Sequence, residues 1–183
     1  MPQKSALLLL ANGFEELEAV APIDILRRAG VSVNIASVDG APLVRGRCGL
    51  AIQADGPVPD LATLPQGYDL LVLPGGPAVP ALRKQPVIIE IIRKFAAAGL
   101  PIGAICAAPL LLKDAGLLDG RRHTAHDSVW DELPGAIGGE RVVQDGNLIT
   151  SRGAGTAVDF ALALVARITS SASSGQVAKD IMV

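Results

Sequence analysis

The sequence predicts an α/β protein, a three-layer sandwich in which a mostly parallel sheet carries helices on both faces. Short runs that are apolar at almost every position, such as "SALLLLA" and "DLLVL", alternate with longer segments whose apolar residues recur at helical spacing. A strand that is apolar on both sides needs cover on both sides, which two helical layers around a parallel sheet supply. Gly13, Pro74-Gly75-Gly76 and Cys106 all fall at the carboxyl ends of such strands, where sites form in sheets of this kind. With 183 residues, half of them hydrophobic and 3% aromatic, the chain (1–183) is read as one domain with a core of Leu, Ile, Val and Ala.

The elements follow in order. "SALLLLA" is the first strand and stops at the Asn12-Gly13 turn. A helix from about Phe14 to Ala29 carries Leu17, Val20, Ala21, Ile25 and Leu26 at helical spacing; it ends on "RRAG", with bases in its last turn and Gly30 beyond. "VSVNIASV" is the second strand, and "VRGRCGLAIQAD" alternates weakly, as an antiparallel edge pair does. "YDLLVLPGG" is a buried strand, and "PVIIEIIRKFAAAG" is a helix with proline at its start and glycine after its end. "LPIGAICAAPLLL" is a strand that runs through Cys106 straight into a helix ending at Gly116. "RHTAH" is a short strand-like run, and "RVVQDGNLITS" is a hairpin with an Asp-Gly turn. A long helix spans about Gly155 to Ile168, and "TSSASSG" reads as a loop before a short C-terminal helix.

Composition excludes several classes of function. The net charge is −2 with no long run of one sign, which argues against a nucleic-acid binder. The first apolar run is seven residues long and meets acidic "GFEELE" at once, too short and wrongly flanked for a signal peptide or a membrane span. Cys48 and Cys106 are read as reduced thiols, and the protein as soluble and cytoplasmic. Two histidines and two distant cysteines, with no HExxH or CxxC, make no metal ligand set. No GxGxxG follows the first strand and there is no P-loop, so no cofactor is expected.

The chemistry centres on Cys106. A cysteine between strand and helix is either a small packed core residue or a nucleophile held out over the sheet edge on a strained turn. Its place before a helix favours the second reading and a thiol of lowered pKa, while the N–H groups of Ala107 and of the Gly75-Gly76 turn are positioned to hold an oxyanion. A proton partner comes from Glu15, Glu16 or Glu18, of which Glu18 lies deepest in its helix among apolar neighbours, or from His126 after "RHTA". Acids in a first helical turn also occur simply because they complement the dipole. His123 falls on the opposite side of that run from His126.

"LANGFEELEAVAPIDILRRAG", "YDLLVLPGG", "GAICAAP" and "LITSRGAGTAVDFALALV" together resemble the ThiJ/PfpI superfamily, in the branch of the Parkinsonism-associated deglycase and its bacterial ThiJ-like relatives. The resemblance covers nearly the whole chain and implies a flavodoxin-like sandwich and a homodimer. It matches the family's reactive cysteine to Cys106 and its buried glutamate to Glu18, the last acid of "EELE". It matches the oxyanion-binding amides to Gly75, Gly76 and Ala107. Some members have a histidine at the place of His126, followed by proline; here Asp127 follows. The activities implied are conversion of methylglyoxal to lactate, repair of early glycation adducts, or redox sensing by oxidation of the cysteine.

The mechanism expected is addition of Cys106 to a small-molecule aldehyde or glycated substrate to form a hemithioacetal, with Glu18 moving protons and His126 polarising the neighbouring carbonyl. The alternative is an oxidative-stress sensor or redox-regulated chaperone built on the same thiol. An amidotransferase is disfavoured, because "GTAVDFALALV" lacks the histidine it needs. Cys48 is read as an incidental surface or interface thiol. Arg27-Arg28 and Ser151 to Gly155 are placed at a dimer interface or closing the pocket.

Overall fold

The computed structural model describes residues 3–183. Along them run β1 (Ser5–Leu10), α1 (Glu16–Arg28), β2 (Ser32–Ser37), β3 (Leu43–Arg45), β4 (Ala51–Gln53), β5 (Gly56–Pro57), β6 (Leu70–Leu73), α2 (Val79–Leu82), α3 (Pro86–Ala97), β7 (Ile102–Ile105), α4 (Pro109–Asp114), β8 (Val142–Asp145), β9 (Leu148–Ser151), α5 (Ala157–Ile168) and α6 (Ser171–Asp180). Single 3₁₀ turns stand at Asp127–Val129 and Ala154–Thr156.

Seven strands form one sheet in the order β5-β2-β1-β6-β7-β9-β8, parallel except for β8, which pairs antiparallel with β9 at the edge. Successive side chains of a strand point to opposite faces, and the core divides accordingly. Leu8 and Leu10 of β1 join α1 and α5 through Ile25, Leu26, Phe160 and Leu164. Leu7 and Leu9 join α3 and α4 through Ile88, Ile91, Phe95 and Leu111. Both faces are therefore covered by helices, the flavodoxin-like sandwich that the resemblance implies. Gly103 in β7 lets α5 sit close, since a Cβ there would lie 2.7 Å from Leu164 Cδ2 and 2.8 Å from Phe160 Cζ.

Four local expectations need correction. The antiparallel pair β3–β4 exists, with Val44 opposite Ile52, but as a separate two-stranded sheet. The main edge beside β2 is taken by β5, tied down where Asp55 accepts from Ile35 N–H at 2.7 Å. "RHTAH" forms no strand; it makes one bridge, His123 to Ala136, and is held to the sheet where Thr124 N–H donates to Thr150 Oγ1 at 2.9 Å. "SASSG" is the start of α6 rather than a loop. The Ser170 hydroxyl accepts from Ser173 N–H at 3.1 Å as an N-cap, and Ser174 Oγ donates to the Leu162 carbonyl, docking the helix on α5. Finally, α1 begins at Glu16, with Glu15 as its N-cap, so Glu18 lies in the first turn rather than a turn further in.

Candidate active site

From β1 the chain first adds β2 on one side and then β6 on the other. That reversal opens a crevice at the carboxyl ends of β1 and β6, and β7 ends beside it. These three strand ends deliver Glu18 through α1, the Gly75-Gly76 turn, and Cys106.

Cys106 takes φ +65°, the left-handed region that residues with a Cβ rarely enter. Such a residue costs about 1–3 kcal/mol and persists only where its surroundings hold it. Here its N–H donates to the Ser151 carbonyl at 3.0 Å and its own carbonyl accepts from His126 N–H at 2.9 Å. The strained corner inferred from the sequence is thus present, and its two peptide groups are clamped. Gly75 packs directly under it. A Cβ at Gly75 would lie 2.7 Å from Cys106 Cβ and 2.8 Å from Glu18 Oε2, so acid and thiol can meet only over a glycine. At Gly76 φ is +98° and a Cβ would lie 2.6 Å from Glu15 N.

Glu18 is 1% exposed. Its Oε2 accepts from Gly75 N–H at 2.9 Å, so that amide serves the acid. The other oxygen, Oε1, is buried without a well-formed hydrogen bond and lies on the side of Gly153. Burial raises the Glu18 carboxyl to about 7, against the pull of a hydrogen bond with Cys106, the Gly75 amide and the Arg47 charge. The thiol moves the same way. Burial first, then the charge and hydrogen bond of Glu18, push Cys106 up to about 12, while the Gly76 and Ala107 amides facing the sulfur draw it down.

The lowered thiol pKa expected from the sequence is therefore not found. The helix after Cys106 has only six residues, and burial beside a carboxylate outweighs its dipole. Acid and thiol are coupled, each raised by burial, and the acid gives up its proton before the thiol does.

His126 stands half-exposed at the mouth of this pair. Its Nδ1 accepts from Ser128 N–H at 3.2 Å and lies 2.9 Å from Ser128 Oγ and 3.0 Å from Asp127 Oδ1. Ser128 N–H meets Nδ1 as an acceptor and the Asp127 carboxylate meets it as a donor, so the two contacts favour opposite tautomers of the ring. His126 and Arg152 to Thr156 line a cleft of about 330 Å³, where Arg141 is fixed by Asp159 and the Gly155 carbonyl, both at 2.7 Å. Gly153 joins the cleft to the buried pair, since a Cβ on it would lie 3.3 Å from His126 Cδ2 and 3.8 Å from Glu18 Oε1.

Arg152 to Gly155 of the "SRGAG" run thus line the cleft, while Ser151 is buried beneath it. Arg27 and Arg28 do not reach it; they bind the Val33 carbonyl and Asp24. Cys48 is exposed, and its N–H donates to Glu16 Oε1 at 2.6 Å, so the acid that the sequence did not place beside it is there. Gly153 and Arg47 were not singled out from the sequence. The only local signal for Gly153 is its place in "SRGAG", and Arg47 approaches Glu18 only through tertiary folding. Among the described residues, no cluster of three His, Cys, Asp or Glu gathers as a metal site, and no helix is long and apolar enough to cross a membrane.

Residues 4–167 match the family described as the DJ-1/PfpI family. Protein dj-1beta of Drosophila melanogaster is 36% identical over 184 residues, which cover 98% of this chain and 97% of that protein. A Caenorhabditis elegans protein named glutathione-independent glyoxalase DJR-1.2 is 36% identical over 169 residues, 89% of this chain and 88% of its own. The crystal structure of Drosophila melanogaster DJ-1beta superposes with a TM-score of 0.91 at 35% identity, covering 100% of this chain and 99% of that one.

Proposed function

Because the chain belongs to the DJ-1/PfpI family, we propose that it is a cysteine enzyme converting reactive 2-oxoaldehydes such as methylglyoxal to 2-hydroxy acids, with no glutathione and no cofactor. The same thiol acts on the early adducts such aldehydes leave on amines and thiols: Sγ bonds to the adduct carbon as its bond to the amine or thiol breaks, and that group leaves with the proton Glu18 took from Cys106. One observation carries the reading: the Glu18 carboxyl and the Cys106 thiol meet over Gly75 beside an open cleft, and Glu18 Oε1 is left without a hydrogen-bond partner on the cleft side. The name of the Caenorhabditis elegans relative supports the reaction class.

Above pH 7 the Glu18 carboxylate takes the thiol proton as Sγ bonds to the aldehyde carbon. The Gly76 and Ala107 amides, which face the sulfur, hold the oxyanion that forms. Glu18 returns the proton to that oxygen, giving a neutral hemithioacetal, and then removes the hydrogen on the same carbon as a proton. The electron pair moves into the carbon–carbon bond as the neighbouring oxygen gains a proton from His126. Glu18 hands its proton to the second carbon while the first hydroxyl gives its own back to His126, leaving a thioester of the 2-hydroxy acid. Water cleaves that thioester and restores the thiol.

Lactate formed from methylglyoxal without glutathione tests this. Cys106→Ser is expected to abolish turnover, and Glu18→Gln to lower kcat by about 10²–10⁴ with the fold intact. Full activity in either variant overturns the mechanism. No turnover by the wild type assigns the thiol to peroxide sensing, with Glu18 holding the sulfinate.

The same reading pairs two copies of the chain as a homodimer. Leu17 and Val20 on α1 and Leu43 and Leu50 beside β3 and β4 are 58%, 40%, 54% and 51% exposed. The two segments meet where Cys48 N–H donates to Glu16, and a second copy is the occupant that would bury this apolar surface.

A further inference from the structure

The cleft beside Cys106 is built for charge rather than for hydrocarbon. Ser151 accepts the Cys106 N–H at 3.0 Å, and the next residue along, Arg152, stands in the cleft wall with Arg141 and His126. Of the side chains that line the cleft only that of Ala154 is pure hydrocarbon, so an apolar substrate tail finds little surface to bury there. Two arginines thus line the site in a chain whose net charge is −2. A third, Arg47 in the β3–β4 turn, stands near enough for its charge to draw the Glu18 carboxyl down. Cations from three separate parts of the chain converge on one mouth, which attracts anions to it.

The two arginines of the wall differ in what they already hold. Arg141 donates to Asp159 and to the Gly155 carbonyl, so its charge is balanced and its donors are occupied. Arg152 is half-buried and, among the described residues, enters no ion pair. Asp127, the one acid lining the cleft, has its side chain 68% exposed and lies 3.0 Å from His126 Nδ1 rather than against a guanidinium. Arg152 is therefore a guanidinium with no carboxylate on it, and its planar N–H donors fit a carboxylate two at a time. A single unpaired guanidinium matches a monoanion.

Resting on the activity proposed above, we propose that this site selects 2-oxoaldehydes that carry one carboxylate a few carbons beyond the dicarbonyl, and that Arg152 binds that carboxylate. The steps at Cys106 are the same: the hemithioacetal forms, the hydrogen moves to the neighbouring carbon, and water releases a 2-hydroxy acid, which now has a carboxylate at each end. A neutral 2-oxoaldehyde of equal length forgoes the ion pair and leaves Arg152 to water.

The test compares 4,5-dioxopentanoate with 2-oxopentanal, which has a methyl group where the first has its carboxylate, as formation of 2-hydroxyglutarate and 2-hydroxypentanoate by the full chain. The ratio of kcat/KM is expected to favour the carboxylate substrate by at least about tenfold, chiefly through KM. Arg152→Gln is expected to bring that ratio to about one, and Arg152→Lys, which keeps the charge but not the fork, to retain part of it. Each ratio is taken within one protein, so a general loss of activity cancels. A wild-type ratio near one overturns the proposal and leaves the 2-oxoaldehyde activity standing. Binding without chemistry is read by NMR of the histidine imidazoles with 4-oxopentanoate, which lacks the aldehyde, and with neutral 2-pentanone. The keto acid is expected to give a saturable shift at His126, and to bind at least about tenfold more weakly in Arg152→Gln. If that shift appears while neither aldehyde turns over, the carboxylate site is upheld and the enzymatic activity is not. Equal affinity for the two ketones, or no saturable shift with either, overturns the proposal.

Discussion

At the residue scale the decisive pair is Glu18 and Cys106, and its proton count bears on stability and, in the mechanism proposed, on rate. A glutamate ordinarily near 4.5 that ionises near 7 in the folded chain keeps a proton there that the unfolded chain has already lost. The stability it contributes is therefore full below about pH 4.5 and is lost as pH rises to 7, roughly 3 kcal/mol in all. Urea unfolding at pH 5 and pH 8 is expected to show wild type losing more stability than Glu18→Gln by about that amount. The same slope in both proteins would place the titration on another group. In the mechanism proposed the carboxylate is the base and turnover runs the other way, so kcat/KM is expected to rise through pH 7 and then level off. Gly75→Ala tests the spacing of the pair. Its methyl would press on Cys106 and on Glu18 Oε2 together, and about a 10²-fold loss of kcat is expected, measured as lactate formation. Gly153→Ala, whose Cβ would lie 3.3 Å from His126 Cδ2 and 3.8 Å from Glu18 Oε1, is expected to cost far less.

At the scale of elements, the parallel strands and the longer helices were legible because their signals are local. Apolar runs bounded by Gly and Pro gave β1, β6 and β7, and the apolar stripe of Ile88, Ile91, Ile92 and Phe95 gave α3. The misread segments carry weak local signals. In β3–β4 only Val44 is buried, so alternation did not reveal which sheet the pair joins. The serines of α6 look like a loop until Ser170 caps the helix and Ser174 reaches Leu162. Packing of α5 on β7 depends on Gly103. Gly103→Val is expected to destabilise the fold by about 1–3 kcal/mol, read as a lower midpoint in denaturant with turnover per folded molecule unchanged. An unchanged midpoint would mean that Phe160 and Leu164 move aside freely.

At the scale of the whole molecule, the order of strands brings three distant pieces of chain to one crevice, and the apolar surface of α1 and the β3–β4 hairpin is left exposed, where the proposed second copy would sit. Leu17→Asp combined with Leu50→Asp is expected to convert a sedimenting dimer to a monomer with an unchanged circular dichroism spectrum. A wild type that sediments as a monomer at high concentration overturns the pairing.

By itself the sequence determined the alternation of strands and helices, the placing of Cys106 on a corner between them, and the short list of acids that could serve it. Each is a property of a few consecutive residues, through side-chain periodicity and the conformations that Gly and Pro permit. Among Glu15, Glu16 and Glu18 the residue pattern and the resemblance favoured Glu18, and the tertiary structure set it against the thiol. It also gave the Gly75 amide to that acid, and it raised the thiol pKa where the local pattern suggested a fall. Protonation follows burial and neighbouring charge, and both are sums over groups that the chain brings together only when the sheet and its two helical layers close around them.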